Sequence, residues 1–193
     1  MDMCQTGLAT LAFFYFDFRD VRKQDARNLL SSLLFQLCLE SDKYSEIISS
    51  LYSTHGNGSR QPSEDVLLRS LKDMLKVPGQ GELYIVVDAL DECPDFFGYP
   101  TPREQVLTIL RELVNLHLSH VHFCFTSRPE VDIRDVLEGL AVHKVSLHEQ
   151  AGQNKDIFDY ITSVVSSDPR ILRWREEDKQ LVMKTLVEKA AGM

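Results

Sequence analysis

Four short apolar runs punctuate the chain: LAFFYF at 11–16, LYIVV at 83–87, VHFCF at Val121–Phe125 and VHKVSL at 142–147. LYIVV is apolar at every position, the pattern of a strand covered on both faces by helices. Between the runs the spacing changes to threes and fours. Ala26, Leu29, Leu30, Leu33, Leu34, Leu37 and Cys38 make one wide helical stripe, and Leu67, Leu68, Leu71, Met74 and Leu75 make a second over 63–76. Glu64 and Asp65 stand where the positive end of that second helix favours acids. Thr101-Pro102-Arg103-Glu104 predicts a third helix start, over 102–118, because Thr101 caps, Glu104 reaches back and Pro102 loses nothing at the first position.

HGNGSR at 55–60, Pro78-Gly79-Gln80-Gly81 and Gly98-Tyr99-Pro100 read as turns. Strands alternating with helices predict βαβ units and a mainly parallel sheet. Beyond residue 147 the strand signals stop, and 156–165 and 176–191 read as helices closing at Gly192. The expected organisation is an α/β domain over residues 1–150 and the start of a helical subdomain over 151–193.

Composition narrows the function classes. The 193 residues are 44% hydrophobic and 26% charged, with a formal charge of −8, so disorder is excluded and a real core is expected. The acidity argues against a dedicated nucleic-acid binder and against docking on an anionic membrane. No apolar run approaches the roughly 20 residues of a membrane helix. Residues 8–16 lack the basic start and small-residue cleavage site of a signal peptide. Cys4, Cys38, Cys93 and Cys124 show no C-x-x-C spacing, which points to a reduced, cytoplasmic setting.

Candidate chemistry lies where ligands of an open parallel sheet bind, beyond the C-terminal ends of the strands. LYIVV exits into Asp88-Ala89-Leu90-Asp91-Glu92-Cys93-Pro94, and VHFCF into Thr126-Ser127-Arg128-Pro129. Carboxylates on one exit suit Mg²⁺, which takes one or two of them beside waters and phosphate oxygens. An arginine on the next exit suits a phosphate. By contrast, His117, His120 and His122 straddle a helix end and a strand start, so they do not read as a metal site. Cys93 reads as an inert thiol, and Ser127 lacks the setting of a hydrolase nucleophile.

LYIVVDALDEC followed some thirty residues later by HFCFTSRPEVDI resembles the NACHT branch of the signal-transduction (STAND) NTPases. The nephrocystin-like N-terminal NTPase module of NLR-type proteins is the nearest in look. FFYFDFRD before a Leu-rich helix, the DIFDYI segment and the terminal KAAGM carry the resemblance across the chain. It implies a partial P-loop NTPase fold, a three-layer α/β sandwich of sheet order 5-1-4-3-2. Asp88 would be the Walker B aspartate holding Mg²⁺, Asp91 or Glu92 would orient the attacking water, and Arg128 would read the terminal phosphate of ATP or GTP.

The chain departs from that pattern at one essential place. It contains no G-x-x-x-x-G-K-[ST], whose amides, lysine and hydroxyl hold the phosphates and Mg²⁺. HGNGSR lacks the lysine and follows no strand. The run at 11–16 would be strand 2 of the family's sheet, so strand 1, an interior strand, would be missing. The expectation is a truncated fragment of a nucleotide-dependent signalling switch that neither binds nor hydrolyses NTP alone. The alternatives are a non-catalytic module that self-associates or pairs with a full-length NACHT relative, and a truncated remnant.

Overall fold

The computed structural model describes residues 9–146 and 151–190. They fall into two compact units, Met1–Ala141 and Val142–Met193, each taken by itself.

In the first unit, β1 (Ala9–Tyr15), β2 (Glu82–Asp88) and β3 (Val121–Phe125) form a parallel sheet in the order β1-β2-β3. Tyr15 stands beside Asp88, and Val87 beside Phe125. Three helices build the core: α1 (Ala26–Glu40), α3 (Glu64–Leu75) and α4 (Pro102–Val114), with the shorter α2 (Ser45–Thr54) and α5 (Val131–Leu137) beside them. Asp25 caps α1 by accepting from the Asn28 amide, Ser63 caps α3, and Thr101 with Glu104 closes the expected capping box on α4. Of the α1 stripe, all but half-buried Cys38 are fully buried, as are Leu67, Leu71, Met74 and Leu75 of α3. They pack on Phe14, Phe16, Leu83, Ile85 and Val87 in one core.

An α/β domain with a parallel open sheet is therefore present, with three differences from the expected pattern. First, among the described residues of this unit, β2 is covered on one face only. Leu83, Ile85 and Val87 are buried, while Tyr84 is 39% exposed and lies between exposed Leu11 and His122. Among the described residues of this unit, two of the three layers of the expected sandwich are thus seen. An all-apolar run reports what a strand can tolerate, not what covers it.

Second, residues 142–146 form no strand, and Leu147 lies outside the described residues. Val142 and Val145, both exposed, are three apart and so share no strand face. A strand also needs a neighbour for its ladder. Third, α4 ends at Val114 rather than 118, with Asn115 as its cap and His117 at φ 49° before β3. The pattern does not announce α2 or α5: α2 buries no residue fully, and α5 is only seven residues long.

In the second unit, α6 (Ala151–Ser167) and α7 (Glu176–Ala190) pack against each other, with Ile161 and Val165 buried on α6. Among the described residues, no helix is long and apolar enough to cross a membrane.

Candidate functional site

The parallel register decides what meets at the sheet's C-terminal edge. Because Val87 stands beside Phe125, the next residues, Asp88 and Thr126, are neighbours too. The Thr126 hydroxyl donates to Asp88 Oδ1 and accepts from the Ala89 amide at 3.1 Å. The Thr126 amide donates to the Val87 carbonyl and the Leu90 amide to the Thr126 carbonyl. Asp88 is exposed, and Oδ2 accepts no hydrogen bond among the described residues.

After Asp88 the chain reverses. Ala89 adopts the left-handed conformation at φ 55°, ψ 48°, and Leu90–Glu92 form a single 3-10 turn. This turn delivers two acids to two different neighbours. Asp91 Oδ1 accepts from the Arg128 amide at 2.9 Å, and Oδ2 lies 3.5 Å from Arg128 Nε. The Asp91 side chain is only 10% exposed, whereas that of Arg128 is 80% exposed. Glu92 Oε2 accepts from the Phe18 amide at 3.2 Å, which ties in the exit of β1. All three strand exits are thereby joined by side-chain-to-backbone bonds.

Behind the turn sits Arg103, whose guanidinium donates to the carbonyls of Cys93 and Asp91 at 2.8 and 2.7 Å. Cys93 is fully buried, and burial pushes its thiol up to about 12. A cleft of about 260 Å³ opens among Phe18, Asp91, Glu92, Phe96, Arg103 and Arg128, and Asp88 is not part of its lining.

The four candidate residues thus share one edge of the sheet, with Asp91 and Arg128 in direct contact. The sequence pattern assigns Thr126 and Arg103 no role of their own at the site. Thr126 follows the last residue of β3 and stands beside Asp88, the last residue of β2, once Val87 is registered with Phe125. Arg103 was marked by being a cation in the first turn of a helix, where acids are favoured. The three histidines go to separate partners. His120 contacts Gln80 and the Leu75 carbonyl, His122 pairs with Glu82 at 2.7 Å, and His117 lies in the turn before β3.

Residues 1–128 match the family described as nephrocystin 3, N-terminal. The chain belongs to this family. No curated protein and no solved structure is similar enough to match. The nephrocystin 3 N-terminal match includes all three strands and every candidate site residue.

The donor set suits a hard divalent cation only in a limited way. Among the described residues, Asp88 offers one carboxylate oxygen that accepts no hydrogen bond, and no group of three or more acidic, histidine or cysteine side chains converges. That fits Mg²⁺, which is held by one or two carboxylates and completes its shell with water and phosphate oxygens. It does not fit a cation held by protein alone.

Proposed function

We propose that the chain carries the Mg²⁺ and sensor half of a nucleotide-dependent signalling switch of the NACHT type. The observation that carries this reading is the meeting of two adjacent strand exits: a free Asp88 oxygen on one, and exposed Arg128 held by Asp91 on the other. Asp88 would hold Mg²⁺, which would neutralise phosphate charge when a nucleotide is bound. Arg128 would turn from Asp91 to the terminal phosphate. The Arg128 end of the pair is 80% exposed and Nε stands 3.5 Å from Asp91 Oδ2, so the guanidinium is within reach of solvent and of a phosphate. The Asp91 carboxylate keeps the Arg128 amide when the side chain swings away.

The geometry favours a division of labour between the two acids. Both Asp91 oxygens face Arg128, which suits Asp91 to holding the sensor. Among the described residues Glu92 accepts a hydrogen bond at Oε2 alone, from the Phe18 amide, and is the better candidate to orient a water molecule.

Without the phosphate-binding loop the site lacks its main source of affinity, because the amide cradle and lysine are missing from the sequence. Titration calorimetry of the 193-residue chain with Mg-ATP and Mg-GTP is expected to show no micromolar binding. The same residues joined in frame to an upstream G-x-x-x-x-G-K-[ST] segment are expected to bind. In that longer protein Asp88→Ala is expected to weaken binding about tenfold, the loss of one charge-assisted interaction. Arg128→Ala is expected to uncouple hydrolysis from binding. Unchanged binding and hydrolysis in both variants would overturn the assignment.

The uncovered face of the sheet favours a second reading, a module that self-associates or pairs with a full-length relative. Leu11, Phe13, Tyr15 and Tyr84 are all exposed there, and β3 is an edge strand of the kind that invites pairing. Light scattering that shows a stable monomer at all concentrations would count against it.

A further inference from the structure

Arg103 occupies the second position of α4, at the positive end of the helix, where a cation is disfavoured. Its side chain is nevertheless 8% exposed. Buried charges persist where they are paired and hydrogen-bonded, and Arg103 is held on every side. Its amide donates to the Pro94 carbonyl at 3.0 Å, Nε to Cys93 and one terminal nitrogen to Asp91. The other terminal nitrogen lies 3.4 Å from Asp132 and 3.6 Å from Asp95. A local rule broken at this depth, beside a candidate site, marks a functional constraint.

The partners explain the constraint. Asp91 is gripped twice, its carbonyl by Arg103 and its carboxylate by Arg128. Asp132 lies in the first turn of α5, which begins three residues after Arg128. One guanidinium therefore fixes both the backbone that aims the Asp91 carboxylate and the helix that continues from Arg128. A planar fork with donors in several directions does this, whereas a lysine ammonium on a single stem does not.

We propose that Arg103 is a positioning residue that sets the place of Arg128 by holding Asp91 and α5 together. The proposal deepens the nucleotide-switch reading and rests on it for what Arg128 would sense.

Amide hydrogen exchange in the 193-residue chain, without nucleotide, tests it through the Arg128 amide, whose acceptor is the Asp91 carboxylate. In Arg103→Gln and Arg103→Lys the Arg128 amide is expected to exchange about tenfold faster, the equivalent of one lost hydrogen bond. The amides of Leu33 and Ile85 are expected to stay within about twofold, since they report global opening. Asp91→Asn is expected to speed the Arg128 amide similarly, with no further gain on adding Arg103→Gln, because Arg103 acts through Asp91.

An Arg128 amide unchanged in Arg103→Lys overturns the proposal, as does a rise that adds in full to that of Asp91→Asn. A uniform rise over all core amides also overturns it, since that is what a merely structural role produces. Should Arg103→Gln fail to fold, Arg103→Lys and Asp132→Asn decide the matter, both being expected to loosen the Arg128 amide selectively. Because no nucleotide is present, this result stands or falls apart from the binding experiment on the extended protein.

Discussion

Ala89 carries the reversal that separates Asp88 from Asp91, at φ 55°. A left-handed residue with a Cβ costs roughly 1–2 kcal/mol, and branching at Cβ raises the cost. Ala89→Gly is therefore expected to be neutral or stabilising by up to about 1 kcal/mol, and Ala89→Val destabilising by more than that. Urea midpoints at unchanged slope would check both. Cys93, four residues on, illustrates the opposite kind of local control. Its thiol is raised from 9.0 to about 12 by burial, so the folded protein favours the protonated form. The stabilisation is fully present below pH 9 and is lost as pH rises through about 12. Alkylation of native protein near neutral pH is expected to mark exposed Cys124 and spare Cys93.

At the level of elements, each end of the sheet is handled differently. The outer edge of β1 is blunted by α1, where Gln36 accepts from the Phe13 amide at 3.0 Å and donates to its carbonyl at 2.7 Å, imitating a neighbouring strand. Gln36→Ala is expected to cost about 1 kcal/mol in chemical unfolding. The capping box of α4 matters for more than its helix, since that first turn carries Arg103. Thr101→Ala is expected to cost about 1 kcal/mol, and to raise exchange at the amides of 103–105 before those of α1. Equal effects on both helices would contradict this account.

Across the described residues of the first unit, the governing fact is a sheet with helices on one face. Phe13 is 51% exposed midway along the edge strand β1, flanked on the same face by Leu11 and Tyr15 and paired with Val86. Exposed apolar surface of this extent marks an interaction site or an aggregation hazard. Phe13→Lys is expected to lower the mass seen by light scattering at high concentration without lowering stability, because the position buries little in the core. A mass unchanged by this substitution would place association elsewhere.

The core and the acidic exit were legible because both are local. The stripe from Ala26 to Leu37 follows from a period of 3.6, the box at Thr101 and Glu104 from three residues' spacing, and the strand before Asp88 from an unbroken apolar run. The class of the domain and the gathering of Asp88, Asp91, Glu92 and Arg128 at one edge follow from these periods and from parallel connections. What tertiary structure decided is which partners those residues take. Asp91 turns to Arg128, Glu92 to Phe18 and Asp88 to Thr126, through contacts set by strand register and by one turn at Ala89. The uncovered face of β2 and the absence of a strand over 142–146 were likewise undecidable from pattern. A strand's hydrophobicity states what it can bury, while its neighbours determine whether it is buried and whether it is a strand at all.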